Sequence, residues 1–549
     1  MRPATVWSSE PVATNPVYAA EGKTFLGHPR GLFVLFFAEM WERFSYYGMR
    51  AILIFYLLQH WLFAEDKAYI IYGAYTALVY ITPVIGGYLA DRYIGQRKAV
   101  QYGAVLLVIG HGLMAFEGTG GQDSPYLNVF WLALAFIIMG VGFLKANISA
   151  IVGQLYGQGD PRRDPAFTIF YMGINLGAAF GSLLVGYLGQ TYGWGWGFGA
   201  AGVGMLLGLI VFVWGRPSLL GRGEAPDPAA LKRPVMGIPL EWMIYLAGLV
   251  GVAVVWALIQ YQDVVGWMLA IFGGFMVIYL LFTSVFKMDR IDRDRIFAAL
   301  FLIALQPLFW ALFEQAGSSL NVYTDAQVNR EILGWEVPAS MFQSINAIYI
   351  VLLGPVFAGL WLWLARRGIE PSTPAKFGLG IIQLGAGFLV LVAGAAAAGT
   401  GNLTPVIFIF LIYLLHTTGE LCLSPVGLSA MTKLAPARMV GLLMGTWFLA
   451  SAAGNFIGGL IAQATGGHGA EVEGASATPV MDVYGTIGWV AIGVGVAVII
   501  VSPLVKRLMH EDIDNAHHDR VLAGQQEIGE PAAAGIHTEQ ELKPGEARS

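Results

Sequence analysis

Long apolar runs alternate with short polar breaks along most of this chain. Crossing ~30 Å of hydrocarbon takes about 20 helical residues. Runs of that length fall near 31–60, 69–91, 99–117, 126–155, 166–190 and 195–215. A break follows that holds Arg216, Pro217, Arg222, Pro226, Pro228 and Pro234. Two more runs cover 240–261 and 265–286, and six others cover 296–323, 341–365, 377–399, 404–432, 439–465 and 482–505. The pattern predicts an all-α membrane protein of fourteen spans, arranged as two six-helix bundles with a two-helix insertion. The expected organisation is a tail over 1–30, a bundle over 31–215, a linker over 216–295 that carries the inserted pair, a second bundle over 296–508 and a tail over 509–549. The last segment is rich in Pro, Gly, Glu and Gln, and disorder is expected there. The polar first thirty residues lack the short apolar core of a signal peptide, so the first span is expected to direct its own insertion.

Composition points the same way. Hydrophobic residues make up 56% of the chain and charged residues 12%, against roughly 25% charged in soluble domains. So few charges cannot cover a soluble surface of this size, whereas membrane lipid requires no such cover. The net charge of −5 comes without a basic patch, so no nucleic-acid partner is expected. The lone Cys422 excludes an internal disulfide.

Charge also orients the spans. With the first residue placed in the cytoplasm, the loops on that side carry 18 of the 31 Lys and Arg residues, and the opposite loops only Lys67 and Arg330. This positive-inside asymmetry predicts a multi-pass protein with two cytoplasmic termini. Only Arg43, Arg50 and Lys145 remain inside predicted spans.

The first span reads Glu39-Met40-Trp41-Glu42-Arg43-Phe44-Ser45-Tyr46-Tyr47-Gly48-Met49-Arg50. Glu39, Glu42, Arg43, Tyr46 and Arg50 recur at helical spacing and share one face. Glu39 and Arg43 form an i,i+4 pair, and Arg50 lies two turns beyond Arg43, ~10 Å away. Each such charge costs ~2.5–3.5 kcal/mol at a helix centre. Four on one span need partners or a water-filled cavity. A salt-bridge cluster that only packs helices is the competing reading, and for Arg50 so is snorkelling to the interface.

Lys145 sits mid-span in 126–155, Glu314 in 296–323 and Glu420 in 404–432. All the intramembrane cations thus belong to the first bundle, while the second contributes acids without cations. A cleft between the bundles would be positive on one wall and negative on the other, a field that suits a zwitterion with separated ends. A Lys145–Glu420 pair would serve equally as packing or as a gate. Asn175 and Asn346 suit either interhelical bonds or a ligand. Tyr80, Trp310 and Trp447 suit either packing or a pocket wall. His111 and His416 read as packing, and Ser424-Pro425 predicts a bend. No phosphate loop, HExxH or paired cysteines occur, so neither enzymatic activity nor a cofactor or metal is expected.

Two resemblances follow. Gly86-Gly87-Tyr88-Leu89-Ala90-Asp91-Arg92, with Gly95, Arg97 and Lys98, resembles the loop signature of the major facilitator superfamily. Glu39-x-x-Glu42-Arg43-Phe44-x-Tyr46-Tyr47-Gly48 resembles the first-helix motif of the proton-dependent oligopeptide transporters within that superfamily. Phe170-Tyr171-x-x-Ile174-Asn175-x-Gly177, Trp310 to Gln315, Gly419-Glu420-x-x-x-Ser424-Pro425-x-Gly427 and Gly445-Thr446-Trp447 extend the likeness over roughly 30–508. The inserted pair is similar to that of bacterial members, and the resemblance implies the bacterial cytoplasmic (inner) membrane.

The resemblance implies a proton-coupled symporter that imports di- and tripeptides by alternating access and works as a monomer. It implies that Arg43, Arg50 and Lys145, assisted by Tyr47, hold the peptide carboxylate, and that Glu420, Asn175 and Asn346 hold its amino end. Tyr80, Trp310, Ser424 and Trp447 would line side-chain pockets. Glu39, Glu42 and Glu314, beside Arg43, would carry or relay the proton. Arg50–Glu314 and Lys145–Glu420 would be switching ion pairs. Two departures stand out: Ala146 replaces a frequent proline, and 69–91 holds no histidine, so coupling must rest on carboxylates. A same-fold carrier of nitrate or a metabolite stays open, as does a channel.

Overall fold

The computed structural model describes residues 23–157, 160, 162–399, 401–436, 439–466 and 478–510. Most of the two expected tails, 1–22 and 511–549, lies outside the described residues. Among the described residues there are fourteen long α-helices and one short one. The first six are α1 (Arg30–Phe55), α2 (Glu65–Leu89), α3 (Gln96–Met114), α4 (Leu127–Gln154), α5 (Arg163–Tyr192) and α6 (Trp194–Gly215). The inserted pair is α7 (Leu240–Leu258) and α8 (Gln262–Lys287). The rest are α9 (Arg290–Phe313), the short α10 (Ser319–Gln327), α11 (Ser344–Arg366), α12 (Thr373–Ala398), α13 (Ile407–Leu434), α14 (Val440–Gly466) and α15 (Thr478–Met509). Among the described residues, twelve helices are long and apolar enough to cross a membrane; α1 and α3 are not among these. In α1 the reason is the set of charges Glu39, Glu42, Arg43 and Arg50.

Each six-helix group has its own apolar core. In the first, α1 packs on α5 and α6, and α3 on α4. Leu35, Ile52, Tyr56, Leu107, Ile137 and Phe198 are among its fully enclosed side chains. In the second, α12 packs on α13 and α15, and α9 on α14, around Leu302, Phe309, Ile381 and Phe388. Lipid-facing surfaces stay apolar: Trp267, Ile271, Phe275 and Ile278 of α8 are all exposed.

The inserted hairpin is tied to the first bundle at both ends. Lys98 pairs with Glu241 at 2.6 Å, and the Tyr102 hydroxyl donates to the Tyr245 carbonyl at 2.7 Å. At the opposite end, the Lys67 ammonium donates to Gln262 Oε1 at 2.6 Å. Apolar residues of the hairpin such as Val252 and Leu269 join the first core.

The bundles meet along two seams, α2 against α14 and α5 against α11. At the first seam a Cβ on Gly73 would stand 2.9 Å from the Gly459 Cα, so glycine is what lets the two backbones approach. Hydrogen bonds join the bundles in the half of the molecule remote from the chain ends. The Asn321 and Gln343 amides donate to the Ala51 carbonyl at 3.0 and 3.3 Å, and the Ser340 N–H and hydroxyl donate to Gln190 Oε1 at 3.0 and 2.6 Å. Trp335 packs edge-on to Tyr187 on the same side. The bundles are thus bonded together on the far side; the near side is the one where the chain ends lie.

Candidate functional site

The first-helix motif folds as its spacing demands. On α1 the Arg43 Nε lies 2.8 Å from Glu39 Oε1 and 2.7 Å from Glu42 Oε2. All three side chains are at most 4% exposed. One guanidinium cannot neutralise two carboxylates. Glu39 Oε2 and Arg43 Nη2 have no hydrogen-bond partner among the described residues. With one acid in excess, the triad can take up a proton.

Two turns on, Arg50 faces the seam. Its Nη2 pairs with Glu314, which stands where α9 gives way to a single 3₁₀ turn over Glu314–Gly317. Both side chains are under 9% exposed, and the pair crosses from one bundle to the other. Arg50 Nε donates to the Tyr72 hydroxyl at 2.6 Å. The guanidinium also lies 5.7 Å from the Tyr47 ring centroid.

Lys145, half-buried on α4, places its ammonium 4.0 Å from the centroid of the Tyr80 ring. Across the cleft, the Asn346 amide on α11 donates to Glu420 Oε2 at 3.1 Å and to Thr417 Oγ1 at 3.0 Å. Lys145 and Glu420 form no ion pair in this conformation; each has a partner within its own bundle instead. The first bundle holds Arg43, Arg50 and Lys145 together with Glu39 and Glu42, and the second holds Glu314 and Glu420.

The remaining candidates divide. Asn175 is buried, and its amide donates to the Tyr171 carbonyl of its own helix at 3.0 Å. Trp310 is half-buried, its indole N–H donating to Gln306 Oε1 at 2.6 Å. Ser424 is half-buried. Trp447 is 4% exposed and packs edge-on against Phe377 in the second core. α13 continues through Pro425 and α4 through Ala146 without interruption. His416 Nε2 lies 3.1 Å from the Leu384 carbonyl; His111 is buried and its ring nitrogens have no hydrogen-bond partner among the described residues.

Tyr72, Thr417 and Gln306 each touch a candidate residue and were not singled out from the sequence. The stripe Tyr69, Tyr72, Tyr75 on an apolar helix was the available signal, because buried tyrosine hydroxyls seek partners. Thr417 and Gln306 lie one turn or less from Glu420 and Trp310, which is a weaker sign.

Residues 97–476 match the model of the POT family. The uncharacterized transporter YclF of Bacillus subtilis (strain 168) is 40% identical over 89% of this chain and 96% of its own. The peptide transporter YePEPT of Yersinia enterocolitica is 37% identical over 81% and 89%. The dipeptide and tripeptide permease B of Xenorhabdus bovienii is 31% identical over 88% and 97%. Among solved structures, a peptide transporter POT variant in complex with alafosfalin superposes with a TM-score of 0.77 at 38% identity, covering 89% of this chain and 97% of its own. A POT family transporter in complex with 5-aminolevulinic acid does so with 0.75 at 31%, covering 88% and 98%.

Proposed function

The chain belongs to the POT family, and from that premise we propose that it is a symporter which couples proton entry to the import of di- and tripeptides by alternating access. The observation that carries this reading is the buried Arg50–Glu314 pair that crosses the bundles on the far side, combined with Lys145 and Glu420 on different bundles, each held by a neighbour of its own bundle. In the proposed cycle, a proton on Glu314 frees Arg50 and lets the far side open. A peptide then enters with its carboxylate toward Arg43, Arg50, Lys145 and Tyr47, and its amino end toward Glu420, Asn346 and Asn175. Tyr80, Trp310 and Ser424 meet its side chains, and Trp447 joins them once the bundles rearrange. The peptide takes the place of a Lys145–Glu420 contact that closes the near side in the outward state. Rocking returns the molecule to the form described here and releases peptide and proton. Glu39 and Glu42, sharing Arg43, hold or relay the proton.

The driving force suffices. A charge moving through 100 mV supplies about 2.3 kcal/mol, and one pH unit adds about 1.4 kcal/mol. At ~1.4 kcal/mol per tenfold, one proton per neutral peptide sustains a few-hundredfold accumulation. The positive near-side loops favour a bacterial inner-membrane protein with both termini in the cytoplasm, and a single chain holds every residue invoked, which favours a functional monomer.

Liposome uptake of a labelled dipeptide under an imposed inward proton gradient tests the proposal. Accumulation that collapses on adding a protonophore is expected. Uptake indifferent to the protonophore would refute proton coupling.

A further inference from the structure

Arg50 has two partners of different kinds. Glu314 belongs to the opposite bundle, carries charge and can be neutralised by a proton. Tyr72 belongs to Arg50's own bundle, and its phenol is neutral throughout the physiological range. The Tyr72 side chain is 2% exposed, and its hydroxyl accepts from Arg50 Nε at 2.6 Å. Nearby Tyr46 and Tyr75 are equally enclosed, yet their hydroxyls have no partner among the described residues, so burial alone does not supply such a bond.

The opposite bundle is shaped around this contact. After Glu314 the chain makes one 3₁₀ turn to Gly317 before α10 begins at Ser319. A Cβ on Gly317 would overlap the Tyr72 hydroxyl and stand 3.2 Å from Arg50 Nη2. The break in α9 thus presents Glu314 to the guanidinium and a bare backbone to the tyrosine.

We propose that Tyr72 is a positioning residue of the far-side gate. It holds the Arg50 guanidinium to its own bundle by a bond that neither a proton nor rocking disturbs. This rests on the reading that Arg50–Glu314 opens and closes in each transport cycle. Rigid-body motion separates Arg50 from Glu314 but leaves Arg50 and Tyr72 together, since α1 and α2 move as one. A free arginine side chain would have to be ordered again at each closure. Tyr72 keeps it aimed, so the gate re-forms without that cost, and Gly317 leaves room for the arrangement.

The test reads closure directly. Ser340 is fully buried in the far-side seam, and the one native cysteine, Cys422, is buried elsewhere. In a Ser340→Cys background, modification by a membrane-impermeant maleimide reports far-side opening. Tyr72→Phe is expected to raise the labelling rate about tenfold, the worth of one hydrogen bond to a charged group. Gly317→Ala, which alters no charge and no hydroxyl, is expected to do the same. With Glu314→Gln in place the pair is already lost, and Tyr72→Phe should then change labelling less than twofold. Labelling unchanged by both Tyr72→Phe and Gly317→Ala, or raised as much with Glu314→Gln as without, would overturn the proposal. Peptide uptake by the unmodified protein in the same liposomes keeps the two ideas apart. If it fails, the functional reading falls; if it stands while labelling does not respond, only the role of Tyr72 falls.

Discussion

Replacing Glu420 by Gln removes a charge from the acidic wall and changes little else. The side chains have nearly equal volume. The glutamine oxygen can still accept the Asn346 amide, now bonded at 3.1 Å, and Thr417 still accepts from the same nitrogen at 3.0 Å. What disappears is the counter-charge for a peptide's ammonium group. A hydrogen bond to a charged partner is worth about 1.5–3 kcal/mol and a neutral one about 0.5–1.5 kcal/mol. The expected loss is therefore ~1–2 kcal/mol, or roughly 5- to 30-fold in affinity. Isothermal titration of detergent-purified protein with dialanine measures it. A dialanine blocked by N-acetylation supplies the control: it carries no ammonium group, so its affinity for the two proteins should be similar. The reasoning is refuted if Glu420→Gln binds free dialanine within twofold of wild type, or if it loses the blocked and free peptides equally. The second result would mean that the substitution disturbs the cleft as a whole.

Two further outcomes are expected. Glu314→Gln and Glu42→Gln should each abolish accumulation against a gradient, while counterflow, which needs only binding and reorientation, persists in at least one of them; concentrative uptake at the normal level in both would remove the carboxylates from coupling. Lys145→Met relieves an ammonium that costs ~2.5–3.5 kcal/mol at a helix centre and lies over the Tyr80 ring in this conformation. It should purify as a monodisperse protein with an undiminished melting temperature yet show no proton-driven uptake, so a well-folded, active variant would end the gating role.

Periodicity alone determined which segments become helices. A run of about twenty apolar residues can satisfy its backbone in lipid only as a helix, and the observed helices lie close to the predicted spans. The charge face of α1 was equally legible, because Glu39, Glu42, Arg43 and Arg50 repeat at helical spacing and each ion is costly in lipid. Local sequence also explains why Arg43 binds both acids: all three sit within one turn. Contacts between distant segments were a different matter. That Arg50 meets Glu314 while Lys145 turns to Tyr80 depends on which end of the seam is closed, a property of two bundles packed at a particular angle. The same holds for Trp447, whose ring packs against Phe377 from another helix of the second core. Tyr72 shows the limit most plainly. Nothing in its own span distinguishes it from Tyr69 or Tyr75, and only the approach of α1 and the break at Gly317 make it Arg50's partner. Sequence fixes the cost of placing each group in the membrane, whereas the partner that offsets the cost comes from elsewhere in the chain and is chosen by packing.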